Sequence, residues 1–114
     1  MKIAILGGGA WGKALATLAA EAGSTPHIGY RSAPVRGFPG SPNLSGMARE
    51  HELIFIAVPP AAVRSVVQKA KLGPEHRVII AARGIEPQTG KWLSRIVLEE
   101  SSALRVGALA GPTL

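Results

Sequence analysis

The apolar positions of this chain change their period several times. A short continuous apolar run, Ile3 to Leu6, meets Gly7-Gly8-Gly9, and an alanine-rich helical pattern follows from Ala10 to Ala22. Short apolar runs bounded by turn residues predict buried strands, whereas apolar residues recurring every three or four positions predict helices. Glu21-Ala22-Gly23-Ser24 reads as a helix end, with Gly23 at the left-handed capping position. Pro26 to Tyr30 predicts a second strand, weakened by its Pro and Gly. Ser32 to Gly46 holds three Pro and three Gly in fifteen residues and predicts a loop, with a two- or three-residue strand around Asn43 to Ser45. A crossover helix is usual between parallel strands, so the segment reads as shortened. Met47 to Glu52 predicts a brief helical turn.

Leu53 to Val58 is continuously apolar and rich in β-branched residues, as a central parallel strand should be, and Pro59-Pro60 stops it. From Ala61 to Leu72, Ala62, Val63, Val66, Val67 and Ala70 share one helical face, opposite Arg64, Ser65, Gln68 and Lys69. Gly73-Pro74 ends that helix. Val78 to Ala82 predicts another buried strand, Arg83-Gly84 the turn after it, and Pro87 to Glu100 an amphipathic helix with Trp92, Leu93, Ile96 and Val97 in the core. Arg105 to Ala110 is the last strand, broken by Gly111-Pro112. Strands alternating with helices predict an α/β fold: a Rossmann-like, doubly wound parallel sheet in three α/β/α layers.

Gly7, Gly9 and Gly12 form G-x-G-x-x-G between the first strand and the first helix. In that context the spacing points to dinucleotide binding. Gly7 permits the tight turn, Gly9 permits close approach of a pyrophosphate, and Gly12 permits the helix to lie on the strand. The helix then directs its free N–H groups and positive dipole end at phosphate. A Gly-rich turn that only packs a βα unit is the plainer reading. The acid expected to hold a ribose 2′-hydroxyl after the second strand is missing. Arg31 stands there instead, a guanidinium suited to a 2′-phosphate, so NADP(H) is at least as well served as NAD(H); an ordinary surface arginine is the other reading.

Composition narrows the rest. The 114 residues are 46% hydrophobic and only 18% charged, which predicts a folded domain with strands covered on both faces. No apolar run reaches membrane-spanning length and the N-terminus lacks a signal-peptide layout, so a cytoplasmic, non-membrane protein is expected. Without cysteine there is no disulfide, thiolate metal site or cysteine nucleophile. The net charge of +6 is scattered rather than clustered and has almost no aromatic interleaving, which suits a small anionic ligand better than nucleic acid. His27, His51 and His76 lack ligand spacing, so no metal is expected and the histidines read as solvated or capping.

Ligands of open α/β sheets bind beyond the carboxyl ends of the strands. This chain places there Gly7 to Gly12, Arg31, Pro59-Pro60, Arg83-Gly84 and Gly111-Pro112-Thr113. The rim is built for anions and offers no histidine or carboxylate for proton transfer.

GGGAWGKALA, IFIAVPPAAVR, ARGIEPQTGKWL and AGPT, in that order and at those intervals, resemble the NAD(P)-dependent glycerol-3-phosphate dehydrogenases, specifically their N-terminal cofactor-binding domain. The resemblance covers nearly the whole chain and is weakest from Ser32 to Gly46. It implies an oxidoreductase that reduces dihydroxyacetone phosphate to sn-glycerol 3-phosphate with NADP(H) or NAD(H), for phospholipid biosynthesis. It implies cofactor contacts at Gly7, Gly9, Ala10, Trp11, Gly12, Arg31, Pro59 and Arg83, and contacts to a small phosphorylated substrate at Arg83, Gly111 and Thr113. Arg83 departs from the family's lysine, Leu114 stands where the family usually has an aromatic residue, and family members are much longer. The family's helical C-terminal domain, with its catalytic lysine, lies outside residues 1–114. No catalytic residue is therefore expected in this chain, little or no turnover by it alone, and exposed apolar surface with a possible homodimer. A non-catalytic nucleotide-sensing or interaction module is the alternative from another class. A ketopantoate-reductase-like enzyme is the alternative within dehydrogenases, disfavoured by AGPT and ARGIEPQTG.

Overall fold

The computed structural model describes residues 2–109. Six strands form one wholly parallel sheet: β1 (Lys2–Leu6), β2 (Thr25–Gly29), β3 (Gly40–Ser41), β4 (Leu53–Ile56), β5 (Arg77–Ile80) and β6 (Arg105–Ala108). The helices are α1 (Ala10–Glu21), α2 (Leu44–Arg49), α3 (Val63–Ala70), entered through a 3-10 turn at Pro60–Ala62, and α4 (Leu93–Glu100). The strand order is β3-β2-β1-β4-β5-β6, so the chain reverses its winding between β1 and β4. A crevice opens at that point above the carboxyl ends.

Strand register distributes the apolar residues. Ala4 and Leu6 lie beside Ile54 and Ile56, which lie beside Val78 and Ile80. This face packs on Met47, Val63, Val67, Ile96 and Val97 of α2, α3 and α4. Val67 is fully buried, a contribution of about 1.5–3 kcal/mol. Ile5 and Ile28 point the other way and meet Leu15 and Ala16 of α1, with Val35 and Phe38 of the β2–β3 connection alongside. Among the described residues α1 is the only helix on this second face. The expectation of strands covered on both faces therefore fails over β4 and β5, where Phe55 and Ile79 remain half-buried. The cause is topological: α2, α3 and α4 all lie against the first face.

Element types follow the sequence pattern, with three local shifts. The short strand of the Pro/Gly segment falls at Gly40–Ser41 instead of Asn43 to Ser45, because Asn43 caps α2: its Oδ1 accepts from the Gly46 N–H at 3.1 Å. No helix intervenes between β2 and β3, as the shortened segment implied. The left-handed cap of α3 is Lys71 (φ 53°), one residue before the buried Leu72 and two before Gly73. Finally, the helix expected from Pro87 begins only at Leu93. Residues 85–92 form a small excursion closed by an antiparallel bridge between Ile85 and Trp92, with Gly90 at φ 73°. Trp92, placed in the core by periodicity, is 70% exposed, while Leu93, Ile96 and Val97 are buried as expected.

Of the two readings for the histidines, solvated or capping, His51 and His76 take the second: both are buried. His51 Nδ1 lies 2.8 Å from the Met47 carbonyl, and His76 joins the Gly73 N–H to the Ala48 carbonyl. Both rings satisfy backbone groups at the carboxyl end of α2.

Candidate cofactor-binding site

The glycines of the first turn differ in what confines them. Gly7 has φ +136°, and a Cβ there would lie 2.2 Å from the Ala57 carbonyl oxygen. A Cβ on Gly12 would lie 1.9 Å from the Gly7 carbonyl oxygen, so α1 touches the turn backbone to backbone. Gly9 is unlike both: its φ is −78°, and a Cβ would meet nothing within 4 Å. The fold demands glycine at positions 7 and 12 and leaves position 9 open toward the crevice.

The first intrahelical bond of α1 runs from the Lys13 N–H to the Gly9 carbonyl at 2.9 Å. The N–H groups of Ala10, Trp11 and Gly12 precede it. No side chain caps this end and its first turn holds no acid. A helix of 12 residues thus presents its dipole and free donors to the crevice. These are the requirements for holding a pyrophosphate, and the open ground at Gly9 fits one.

Two elements flank the turn. The Gly7 N–H bonds to the Gly29 carbonyl at 2.8 Å, fixing the end of β2 beside the glycines and placing exposed Arg31 just beyond. On the other side, the indole N–H of Trp11 donates to the Ala81 carbonyl at the end of β5. Trp11 therefore commits its side chain to the sheet and only its backbone to the turn. Exposed Pro59 follows β4 and exposed Arg83 follows β5, on the same carboxyl edge. Strands β2 and β5 are separated by β1 and β4, so Arg31 and Arg83 start about 14 Å apart at ordinary strand spacing. One elongated ligand can meet both; one phosphate cannot. Gly111, Thr113 and Leu114 lie outside the described residues.

Beyond Arg83 and Gly84 (φ 91°), a cavity of about 290 Å³ opens between Ile80, Trp92, Ser94 and Leu109. Beside it lies a cluster that sequence reasoning did not single out. Arg64 forks onto Glu86 (Nε to Oε2 2.8 Å, Nη2 to Oε1 2.9 Å) and also reaches Glu100. Thr89 donates its hydroxyl to Glu86 Oε1 at 2.6 Å. Glu86 is 2% exposed. The Arg64 guanidinium, and secondarily the Thr89 hydroxyl, hold its carboxyl down at about 2. The only local signal was an acid directly behind the Arg83-Gly84 turn; its partner lies 22 residues earlier. No group of three potential metal ligands occurs among the described residues.

A 3-2-1-4-5-6 parallel sheet with a glycine turn and a bare helix end at its winding reversal defines the dinucleotide-binding α/β class. Within it, residues 36–114 match the family model described as the NAD-dependent glycerol-3-phosphate dehydrogenase N-terminus, and the chain belongs to that family. A glycerol-3-phosphate dehydrogenase [NAD(P)+] of Azotobacter vinelandii is 32% identical over 133 aligned positions, covering 98% of this chain and 39% of the relative. One from Bartonella bacilliformis is 31% identical, covering 99% and 40%. The first alignment is longer than this chain, so the relative carries residues that the chain lacks. In fold, the chain is similar to glycerol-3-phosphate dehydrogenase from Coxiella burnetii (TM-score 0.81, 23% identity, 99% of this chain and 41% of that one). It is also similar to a ketopantoate reductase from Ralstonia eutropha (TM-score 0.75, 19% identity, 95% and 40%). The chain thus spans about two-fifths of the length of the curated relatives it matches. No helix among the described residues is long and apolar enough to cross a membrane.

Proposed function

We propose that this chain is the nicotinamide-nucleotide-binding domain of a glycerol-3-phosphate dehydrogenase. In that role it supplies the cofactor half of the site that interconverts dihydroxyacetone phosphate and sn-glycerol 3-phosphate for phospholipid biosynthesis in the cytoplasm. The observation that carries the reading is the uncapped N-terminus of α1, reached through Gly7 and Gly12 and left open at Gly9. Gly9, Ala10, Trp11 and Gly12 would hold the pyrophosphate through backbone N–H groups. Arg31 would lie toward the adenosine ribose, Pro59 and Arg83 toward the nicotinamide half. The bound dihydronicotinamide supplies the hydride; the chain's residues bind and orient it and exclude water on one side. Arg83, and Gly111 with Thr113, would face the phosphorylated substrate.

Among the described residues no carboxylate or histidine stands at a strand end on this rim, so the rim lacks the usual donors of the proton that ketone reduction requires. Residues 1–114 alone should accordingly bind cofactor without turnover. The test is a paired fluorescence titration with NADPH and NADH, repeated on Arg31→Ala. Binding of NADPH that weakens about tenfold in Arg31→Ala, with NADH little changed, supports the reading and its 2′-phosphate preference. No binding of either nucleotide overturns it, and steady NADPH oxidation by the chain alone overturns the claim of no turnover.

A further inference from the structure

We infer that Glu86, held by Arg64, is a positioning residue for the nicotinamide half of the site. It locks the Arg83-Gly84 turn to the Pro59-Pro60 turn before any ligand arrives. The inference rests on the function proposed above.

The two turns belong to different βα units, and nothing in their own sequences fixes one against the other. Arg64 sits in the first turn of α3, directly behind the 3-10 turn Pro60–Ala62 that leads out of Pro59. Glu86 sits two residues behind Gly84. The forked bond between them, at 2.8 and 2.9 Å, therefore ties the exit of β4 to the exit of β5. An arginine fork fixes orientation as well as distance, because both of its N–H groups must meet both carboxylate oxygens in one plane.

The rest of the excursion is built around the same carboxylate. Thr89 bonds to Glu86 Oε1, the Glu86 N–H bonds to the Lys91 carbonyl at 2.8 Å, and the Glu86 carbonyl accepts from the Gly90 N–H at 2.8 Å. Residues 85–92 have no regular structure apart from the Ile85–Trp92 bridge and carry two residues, Pro87 and Gly90, that break helices. Without the ion pair, a ligand at Arg83 would have to order this segment itself and would bind more weakly for it. Glu86 is 2% exposed and touches no open ground in the crevice, so its effect reaches the ligand through Arg83.

The test compares two probes on the 114-residue chain: NADPH, and 2′-phosphoadenosine 5′-diphosphate, which ends at the pyrophosphate. Glu86→Gln should weaken NADPH about five- to tenfold and lower the fluorescence gain of the bound nicotinamide. It should leave the truncated probe within twofold. Removing a negative charge near an anion site would by itself tighten binding, so a loss diagnoses positioning rather than charge. Arg64→Lys keeps every charge but loses the fork; it should move NADPH in the same direction, by less, and serves if Glu86→Gln does not fold. Equal losses on both probes would mean damage to the fold as a whole and overturn the inference, as would no loss on either. A wild-type chain that binds neither probe overturns the proposed function and this inference with it. A wild-type chain that binds both, with variants unaffected, overturns the inference alone.

Discussion

The indole N–H of Trp11 donates to the main-chain carbonyl of Ala81, joining the first turn of α1 to the end of β5 across 70 residues of sequence. This bond crosses the carboxyl end of β4, the strand between β1 and β5. It gives the crevice a fixed floor on one side of the glycine turn. Trp11→Phe keeps the ring and removes the donor, leaving the Ala81 carbonyl without that partner. The expected cost is about 1 kcal/mol, read as a lower urea midpoint at unchanged slope. An unchanged midpoint would show that water replaces the indole without penalty.

The glycine turn permits a sharper separation of fold from binding. Gly12→Ala places a methyl 1.9 Å from the Gly7 carbonyl oxygen and must push α1 off the sheet. A loss of roughly 1–3 kcal/mol is expected. Gly9→Ala meets nothing within 4 Å and keeps an allowed φ, so stability should hold or rise by up to about 1 kcal/mol. Nucleotide affinity should nevertheless fall at least tenfold, because the methyl occupies the ground a pyrophosphate needs. Unfolding curves beside NADPH titrations decide both; undiminished affinity in Gly9→Ala would sink the assignment of that ground.

Acid should find Glu86. Its carboxyl is lowered from 4.5 to about 2 by Arg64 first and Thr89 second. A depressed carboxylate stabilises the fold fully above its unfolded value and loses that stabilisation as pH falls through the folded value. The window is therefore pH 4.5 down to about 2. Glu99, lowered in the same direction chiefly by Lys91, adds to the slope. Stability of the wild type should decline across this window and Glu86→Gln should flatten the decline. Parallel pH profiles for the two proteins would refute the assignment.

Lys71 ends α3 in the left-handed region at φ 53°, a conformation that costs a residue with a side chain roughly 1–2 kcal/mol. Lys71→Gly should relieve it. Part of the gain is offset by the greater freedom of glycine in the unfolded chain, leaving about 0.5–1 kcal/mol of net stabilisation. Thermal unfolding would register this as a rise of a few degrees.

The parts of this architecture that are legible in sequence are those written locally. The glycine spacing, the apolar run Leu53 to Val58 and the helical face of Val63, Val67 and Ala70 each state their structure within a dozen residues. What escapes is written across the chain. Arg64 reads as one more solvent-facing charge because its partners lie 22 and 36 residues away. The periodicity of Trp92 and Ile96 extends a helix backward to Pro87. The Glu86 carboxylate, drawn in by Arg64, holds residues 85–92 in another course. Of the histidines, the capping role is legible but the burial is not. Nothing beside His51 or His76 in sequence announces that each will be enclosed against α2. At the carboxyl edge, the positions of the glycine turn and of Arg31 and Arg83 are legible, while the ion pair between the two turns is not.

That α1 is the single helix the described residues place on the second face has a thermodynamic consequence. Because α1 both covers that face and ends in free N–H groups, whatever anion neutralises those groups also holds the covering layer in place. Occupancy and folding are then linked quantities, and the melting temperature becomes a function of ligand concentration. At a concentration one hundred times Kd the linkage is worth about 2.7 kcal/mol, a large part of what a domain of this size retains against unfolding. For this chain, the empty and the loaded states are two proteins of different durability.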